Sequence, residues 1–426
     1  MSIEDIREEI DRIDAEMANL FARRMKASER ILEYKKQNGA DVCDPERERQ
    51  VIYNGCRHVP EETAPYYREF ISGVIGLSKD LQKSLIALDS DDAVYCPAGR
   101  YNIYAGEGTV ERHIAEFDLA RRVLILTEDG VPGAYPREIA DYVTQSGGIP
   151  FTFCLDGGEI CKNIGSIDEI VSFMLENGFS RSDCLVSVGG GSVSDIAGLV
   201  SSVYMRGIDY YLIPTTLLAQ IDASVGGKNG VNTDGVKNVI GTFYNPCGVI
   251  ADRKYLDTLT QCEISCGAAE LIKIAAVLDA ELFEKLDGTV TDRQIRRAVE
   301  LKVDIVSRDF RDETLRRVLN FGHTLGHGIE IATGCGHGQA VALGMLAISE
   351  GKVRERISEK IRLFGLPESG TFDVEKVMNA VMHDKKGTGE KISCIICPEI
   401  GSFAIAGYGA AELSCRLKNV LSGADR

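Results

Sequence analysis

The sequence lacks any apolar run that approaches the ~20 residues of a membrane-spanning helix, and it shows no signal peptide. Positive charge is also scarce: 48 lysines and arginines face 64 acidic residues, which leaves a net charge of -16. That balance argues against a general nucleic-acid binder and against a protein that binds anionic membranes. A small anionic substrate remains compatible with it, because one pocket can be basic in an acidic protein. We therefore predict a cytoplasmic protein with small-molecule partners.

A regular cysteine framework is missing as well. The chain has 13 cysteines, an odd number at irregular spacing, which indicates reduced thiols rather than disulfides. Cys394-Ile395-Ile396-Cys397 is formally a C-x-x-C motif, but no second pair completes a zinc site. Its apolar, strand-like surroundings favour buried strand thiols.

Histidine is rare, with 6 in 426 residues, yet three histidines lie close together in the sequence. His323 and His327 are four apart and would share one face of a helix. His337 follows after a glycine-containing turn that would bend the chain back. Neutral imidazoles grouped in this way suit a zinc-like cation, with a carboxylate from elsewhere as a further ligand. The alternative is ordinary hydrogen bonding by two helical histidines and one loop histidine.

The length predicts two or three domains, and the sequence patterns change along the chain accordingly. Residues 1–86 predict an all-α module of three helices, over residues 3–36, about 45–57 and about 61–85. Asp44 is the expected N-cap of the second helix. The long first helix carries an apolar stripe with no partner inside so short a segment, which predicts a dimer.

Polar residues of this module resemble those of the small all-helical chorismate mutases. The matching motifs are Ile6-Arg7-Glu8-Glu9-Ile10-Asp11, Arg23-Arg24, Lys35, Asp44-Pro45-Glu46-Arg47-Glu48, Ser78 and Gln82. The resemblance implies that the two carboxylates of chorismate face Arg7, Arg24 and Arg47. The ether oxygen would face Lys35 and Gln82. The ring hydroxyl and the supporting polar groups would contact Asp44, Glu48 and Ser78.

A Claisen rearrangement needs no nucleophile, only a substrate held in a compact shape with donors on the developing charge. Arg7 and Arg24 lie seventeen positions apart, about 25 Å along one helix. Two side chains cannot hold one small diacid across that gap, so Arg7 must come from a second chain if both bind. The alternatives are a solvated charged face and a regulatory module that senses chorismate or prephenate.

Residues 94–256 alternate strands with helices, which predicts a Rossmann-like α/β domain with a parallel sheet. Residues 123–126 and 185–188 are expected as buried strands, and Gly189-Gly190-Gly191-Ser192 follows the second of them. Glycines between a strand and a helix let backbone amides approach a pyrophosphate, although triple glycines also form plain turns. Residues 257–426 are rich in helical patterns and predict an all-α, metal-binding domain.

A longer set of motifs resembles 3-dehydroquinate synthases over about residues 95–426. It comprises Tyr204-Met205-Arg206-Gly207, Pro214-Thr215-Thr216, Asp222, Gly226-Gly227-Lys228, Lys237-Asn238 and Gly267-Ala268-Ala269-Glu270. The resemblance implies a zinc or cobalt site formed by Glu270, His323 and His337, with His327 as a catalytic neighbour. It also implies an NAD site formed by Glu159, Lys162, Gly190, Gly191, Ser192, Asp195, Thr215 and Thr216. Glu128 and Ser194 depart from that family's pattern, and Glu128 stands where an aspartate is usual.

The substrate residues implied by the same resemblance are mostly cationic. They are Arg206, Asp222, Lys228, Lys237, Asn238, Lys273, Lys302, Arg316, Asn320, and Lys385 or Lys386. Arg206 would reach into the site of a partner subunit. The alternative for any one of these lysines is an ordinary solvated surface position.

The activity implied by the resemblance acts on 3-deoxy-D-arabino-heptulosonate 7-phosphate. NAD would oxidise its C5 hydroxyl while the metal polarises that oxygen. Phosphate would then leave, the ketone would be reduced again, and an aldol step would give 3-dehydroquinate. We therefore predict a dimeric, bifunctional enzyme of aromatic biosynthesis. For the larger part, the alternatives are another sugar-phosphate cyclase and a metal-dependent polyol dehydrogenase.

Overall fold

A computed structural model describes residues 2–38, 42–234, 236–384 and 391–422. The chain divides into two compact units, Met1–Arg100 and Tyr101–Arg426. No helix of the described part is long and apolar enough to cross a membrane. The predicted boundary near residue 256 falls inside the second unit, and the domain limits stay predictions.

Three helices and a short strand make up the first unit. They are α1 (Ile3–Asn38), α2 (Pro45–Cys56), α3 (Ala64–Leu88) and β1 (Ala93–Cys96). Asp44 caps α2, because its carboxylate accepts a hydrogen bond from the Arg47 amide at 2.9 Å. Helix α3 begins at Ala64 rather than near residue 61, and Pro65 lies in its first turn, where the missing N–H costs nothing.

The core of the first unit is small. Ile71, Val74 and Ile75 of α3 form its buried centre. The apolar stripe along the N-terminal part of α1 is instead exposed in the single chain. The side chains of Ile3, Ile6, Ile10, Ile13, Met17 and Leu20 are 40% to 58% exposed. A stripe of this kind on a helix of 36 residues is an apolar surface that the described chain leaves uncovered, and the predicted dimer stays a prediction.

A parallel sheet and a hairpin organise the first part of the second unit. The strands are β2 (Tyr101–Gly106), β3 (Arg122–Glu128), β4 (Ile149–Leu155), β5 (Cys184–Gly189), β6 (Asp209–Pro214), β7 (Lys228–Thr233), β8 (Val236–Phe243) and β9 (Gly248–Asp252). Strands β2, β9, β6, β5, β3 and β4 lie side by side in that order, all parallel. Strands β7 and β8 pair as an antiparallel hairpin. The predicted parallel α/β sheet is thereby confirmed.

The strand order reverses between β3 and β5, since the chain runs from β3 out to the edge strand β4 and returns to the other side of β3. A crevice opens at such a switch point, outside the carboxyl ends of the strands. The intervening helices are α4 (Thr109–His113), α5 (Ala134–Gln145), α6 (Ile164–Glu176) and α7 (Gly191–Val203). Short 3-10 turns cover Ile114–Glu116, Glu159–Cys161, Tyr204–Arg206 and Arg253–Thr258, and a π-helical turn covers Ala219–Ala223.

The C-terminal part is mainly helical. Its helices are α8 (Gln261–Leu278), α9 (Ala280–Glu284), α10 (Asp292–Arg308), α11 (His323–Thr333), α12 (His337–Ile348), α13 (Gly351–Leu363), α14 (Val374–Asp384) and α15 (Ala410–Lys418), with a 3-10 turn at Leu315–Asn320. A hairpin of β10 (Ile392–Ile396) and β11 (Ala404–Tyr408) holds Cys394, which is buried as predicted, and Cys397 is buried just beyond it. Residues 267–277 of α8 are all buried, so this helix passes through the core.

Glycines set the close approach of α11 and α12. A Cβ added at Gly344 would lie 2.0 Å from the carbonyl oxygen of Gly322, and one added at Gly338 would lie 2.4 Å from the Cα of Cys266 in α8. Both distances are far inside van der Waals contact. The helices therefore pack backbone to backbone, which fixes where their first residues, His323 and His337, stand relative to α8.

Gly344→Ala should lower the stability of the second unit by about 1–3 kcal/mol, the usual cost of overpacking. Gly409→Ala is the matched control, because Gly409 has an ordinary φ of -74° and open space around the added Cβ. Differential scanning calorimetry of the two variants makes the comparison. Equal unfolding temperatures for both variants would show that the α11–α12 contact relaxes freely.

Candidate active site

A buried carboxylate lies between two histidines. Glu270, in the middle of α8, is fully buried, and the Nε2 atoms of His323 and His337 each lie 3.4 Å from its Oε1. Lys273 forms a close ion pair with Oε2, yet neither Glu270 oxygen accepts a well-directed hydrogen bond from the described residues. One carboxylate and two imidazoles are the donor set of a catalytic zinc site. The residues present therefore fit a divalent cation.

The protonation of these groups follows from burial and from their neighbours. Burial lowers the pKa of His323 to about 3, which leaves its imidazole neutral, as a metal ligand must be. Burial also opposes charge on His337, but Glu270 and Glu330 outweigh it and raise the pKa of His337 to about 9. For Glu270, Lys273 and His323 outweigh the opposing effect of burial and hold the pKa of the carboxyl well below its usual range.

His327 lies beside this group. Its ring centre is 5.2 Å from that of His323 and 6.0 Å from that of His337. With Glu330 and His337 it forms a second group whose donor atoms lie within 4.8 Å of one another. Spacing in the sequence pairs His323 with His327, whereas the group around buried Glu270 contains His323 and His337. The role of His327 as a catalytic neighbour stays a prediction.

A cavity of about 610 Å³ lies against the three histidines. Most of the predicted substrate residues line it. They are Asp222, Lys228, Asn238, Lys273, Lys302, Arg316, Asn320 and His327. Asp195, a predicted cofactor residue, lines the same cavity. Residues that are far apart in the sequence thus meet in one polar space.

Buried cations line this cavity, and Asp222 lies among them. Lys273, Lys302 and Arg316 are at most 5% exposed. Asp222 forms a close ion pair with Lys302, and its Oδ2 lies 3.9 Å from Lys273 Nζ. These neighbours outweigh burial and lower the pKa of Asp222. Arg316 donates to the carbonyl oxygens of Gly226 and Phe310, at 3.1 and 2.8 Å, which fixes its guanidinium.

Two predicted substrate residues of the described chain, Lys237 and Arg206, are not among those that line the cavity. Lys237 instead pairs with Glu330, with Nζ 2.7 Å from Oε1. Arg206 is exposed and follows Met205, and both have a left-handed backbone with φ of 68° and 50°. Its predicted reach into a partner subunit stays a prediction. Lys385 and Lys386 lie outside the described residues.

Two carboxylates of the site do not emerge from the sequence motifs. Asp312 lines the cavity and forms a close ion pair with Lys228. Glu330 Oε2 lies 3.2 Å from His337 Nδ1. Glu330 could have been found, because it follows His327 by three positions and so shares its helix face. Asp312 lies in an irregular segment that gives no periodic signal.

The predicted cofactor residues gather where the strand order reverses. Glu128 ends β3, and its two carboxylate oxygens accept hydrogen bonds from the amides of Gly158 at 2.7 Å and Gly190 at 3.5 Å. Glu128, where an aspartate is usual, thus provides a longer side chain that joins two loops. Gly190 and Gly191 begin the turn into α7, and an added Cβ would meet neighbours at 3.3 Å and 3.2 Å.

Polar contacts link the remaining predicted cofactor residues. Lys162 Nζ lies 2.5 Å from Asp195 Oδ2, and burial raises the pKa of Asp195 to about 6 against the effect of that lysine. Ser192 Oγ donates to Glu159 at 3.2 Å. The Thr215 amide donates to the carbonyl of Gly189 at 2.9 Å, and the Thr216 side chain packs against Gly190. All eight predicted residues therefore belong to one crevice edge.

The first unit has a polar cluster of its own between α1 and α3. Arg24 donates to the Val74 carbonyl at 3.2 Å and closely to Ser78 Oγ. Gln82 Nε2 donates to Ser28 Oγ at 2.7 Å, and Gln82 Oε1 has no hydrogen bond within the described part of the chain.

The other predicted residues of the first unit make separate contacts or are exposed. Glu48 pairs with Lys79 at 3.0 Å, and Lys35 donates to the Val42 carbonyl at 2.7 Å. Arg7, Asp44 and Arg47 are exposed. Lys79 is a further cation that no sequence motif indicates.

Comparison with known proteins follows the same division of the chain. Residues 152–266 match the family model of the 3-dehydroquinate synthase N-terminal region, and residues 267–387 match that of its C-terminal region. A 3-dehydroquinate synthase of Streptococcus mutans is 37% identical over 345 residues, which cover 75% of this chain and 97% of that protein. The chain belongs to the 3-dehydroquinate synthase family. Residues 6–83 match chorismate mutase type II, so this synthase carries a fused mutase domain.

Solved structures agree with the fold of the synthase part. A 2-deoxy-scyllo-inosose synthase, solved with carbaglucose-6-phosphate, NAD+ and Co2+, has a TM-score of 0.69 at 22% identity and covers 75% of this chain and 97% of its own. The 2-epi-5-epi-valiolone synthase of Streptomyces hygroscopicus subsp. jinggangensis, solved with NAD+ and Zn2+, has a TM-score of 0.68 at 27% identity and covers 75% and 96%.

The charge on Lys302 should control anion binding above neutral pH. Burial lowers the pKa of Lys302 to about 8, which Asp222 opposes and Arg316 reinforces. The side chain is cationic below this value and neutral above it. Sulfate, a dianion throughout this range, should therefore bind about tenfold more weakly at pH 9.5 than at pH 7, as expected for the loss of one charged hydrogen bond.

Isothermal titration calorimetry with sulfate measures this effect, and Lys302→Arg should remove the pH dependence because arginine keeps its charge. Lys285→Arg, on the surface of the same unit, is the control and should titrate like the wild type. A pH dependence that persists in Lys302→Arg would assign the titration to another group.

Proposed function

We propose that the second unit converts 3-deoxy-D-arabino-heptulosonate 7-phosphate to 3-dehydroquinate and phosphate, and that the first unit rearranges chorismate to prephenate. One observation carries the synthase assignment. A single cavity is lined by the histidines beside Glu270, by a buried cluster of cations and by Asp195 of the cofactor crevice. Sequence identity to 3-dehydroquinate synthases over almost their whole length supports the same substrate for this chain.

Two bound groups would supply the redox and Lewis-acid chemistry. When bound, NAD would accept a hydride from the substrate and return it, and a divalent cation on Glu270, His323 and His337 would polarise the reacting hydroxyl oxygen. The glycine turn and Thr215–Thr216 would place the cofactor, with Glu159 and Lys162 at its ribose end. The other steps depend on side chains of this chain.

The buried cations would hold the anionic ends of the substrate. Lys273, Lys302 and Arg316 are shielded from water, so their attraction for phosphate and carboxylate is screened less than at the surface. Lys228 is half exposed and stands at the cavity wall beside Asp312, where it can close over the phosphate. Asn238 and Asn320 supply neutral hydrogen bonds for hydroxyl groups.

His327 would move a proton rather than hold the metal. It lines the cavity close to His323 and His337 but is not in the group that contains Glu270. An imidazole on this wall could exchange a proton with the substrate hydroxyl or with the leaving phosphate, each of which needs a proton acceptor or donor during the reaction.

His327→Ala should keep stoichiometric zinc and lose at least a hundredfold in phosphate release, as expected for a general acid–base group. Glu270→Ala should lose both metal and turnover. Phosphate release from the heptulosonate phosphate, with and without chelator and NAD, together with metal analysis of each variant, tests the proposal. Loss of metal in His327→Ala would make it a ligand, and chelator-resistant turnover would refute the metal assignment.

Product analysis separates the related activities. Another sugar-phosphate cyclase would release phosphate from a different sugar and form no dehydroquinate. A polyol dehydrogenase would accumulate NADH, whereas the proposed cycle returns the hydride and leaves the NAD pool unchanged.

For the first unit, we propose a mutase site shared between two chains. The cluster of Arg24, Ser78 and Gln82 supports one half of such a site, while Arg7 stands about 25 Å away along α1. The exposed apolar stripe of α1 supports pairing of that helix with a second copy. Gln82 donates to Ser28, so its amide must turn for Nε2 to reach the substrate's ether oxygen.

Arg7→Ala and Arg24→Ala should each abolish the mutase reaction, and a mixture of the two variants should regain about one quarter of the wild-type sites. The recovery arises because half of the dimers that form are mixed, and each mixed dimer has one intact site of its two. Chorismate disappearance measures it, and Arg12→Ala on the same helix is the control. No recovery would show that both arginines act in one chain.

Undetectable wild-type mutase activity, together with prephenate inhibition of phosphate release that disappears in Arg24→Ala, would instead favour a sensing module.

The thirteen free cysteines support a reducing, cytoplasmic location for the enzyme.

A further inference from the structure

Glu330 contacts a predicted metal ligand and a predicted substrate residue at once. It lies on α11, one turn beyond His327, and its side chain is 14% exposed. Its Oε2 lies 3.2 Å from His337 Nδ1, and its Oε1 lies 2.7 Å from Lys237 Nζ. Glu330 therefore links the first residue of α12 to the start of strand β8.

We propose that Glu330 is a positioning residue that fixes the tautomer and orientation of His337 and anchors Lys237 beside the site. This inference rests on the metal site proposed above. An ionised carboxylate only accepts hydrogen bonds, so His337 Nδ1 must carry the proton that faces Glu330. When a cation takes the place of the Nε2 proton, the lone pair of that nitrogen is the one directed toward Glu270 Oε1, 3.4 Å away.

The contact with His337 should matter more than the contact with Lys237. The Lys237 side chain is 43% exposed, and ion pairs that reach solvent contribute little. The Glu330 and His337 side chains are 14% and 30% exposed, so their hydrogen bond is better protected from water. The Lys237 contact holds the β7–β8 hairpin, which carries Asn238 on the cavity wall, close to α11.

Direct ligation by Glu330 is the rival arrangement. Its carboxylate, His327 and His337 form a group compact enough for a cation. That group lacks Glu270, whose buried oxygens have no well-directed hydrogen bond in the described chain and so need a cation more. Because Glu330 Oε2 already accepts from Nδ1 of His337, the supporting role accounts for its position without a second metal.

The test is Zn2+ affinity of the full chain after metal removal, measured by competition with a chelator. Glu330→Ala should bind Zn2+ about 10-fold to 100-fold more weakly, the usual effect of losing a carboxylate behind a ligating histidine. Glu330→Gln keeps an acceptor for the Nδ1 proton and should recover most of that affinity. Both variants should raise KM for the sugar phosphate, because neither alanine nor glutamine supplies the negative charge that pairs with Lys237.

Glu281→Gln is the matched control, since Glu281 also forms an ion pair with a lysine, Lys285, but lies on the surface away from the site. It should leave Zn2+ affinity and KM unchanged. Wild-type affinity in Glu330→Ala would overturn the inference, and so would complete metal loss equal to that of Glu270→Ala, which would make Glu330 a ligand. A wild-type chain that takes up no Zn2+ would refute the metal site itself.

Discussion

The buried charge of Glu270 is the constraint on which the site depends. A carboxylate removed from water costs several kcal/mol unless cations and hydrogen bonds replace its hydration. Lys273 supplies one positive charge from the next turn of α8, but both oxygens lack well-directed donors among the described residues. Two imidazoles face the same oxygen. A divalent cation at this point would satisfy the carboxylate and both histidines together, which explains why a charged residue is tolerated at the centre of a buried helix.

The positions of these candidate ligands depend on backbone packing rather than on their own side chains. His323 and His337 each begin a helix, and those helices approach α8 and each other through Gly344 and Gly338. A single added methyl group at either glycine would meet backbone atoms that cannot move independently. The geometry of the candidate metal site is thus set by residues that carry no functional group, and a rigid scaffold of this kind would keep the imidazoles in place before any cation binds.

Local patterns were sufficient for the elements but not for the contacts between them. Periodicity placed α1, the Asp44 cap and the buried strands β3 and β5, because each depends on neighbours within a turn or a strand. Glu270 and His323 lie in distant segments, so their pairing was predicted only from the family resemblance. Spacing in the sequence alone would have paired His323 with His327. Glu330 lies on the predicted helix face but was missed, since a carboxylate behind a histidine leaves no motif. Lys237 is predicted at the substrate, but in the structure it pairs with Glu330.

An acidic protein can bind a multiply charged anion because its cations are concentrated where screening is weak. At physiological ionic strength, exposed charges act over about 8 Å, so the net charge of -16 hardly reaches the cavity. Within it, Lys273, Lys302 and Arg316 would repel one another if Asp222 did not lie among them. Asp222 therefore stabilises this group of cations, and an entering phosphate and carboxylate would share them with it. The same arrangement makes the affinity depend on how much charge the substrate carries, which favours a phosphorylated sugar acid over a neutral polyol.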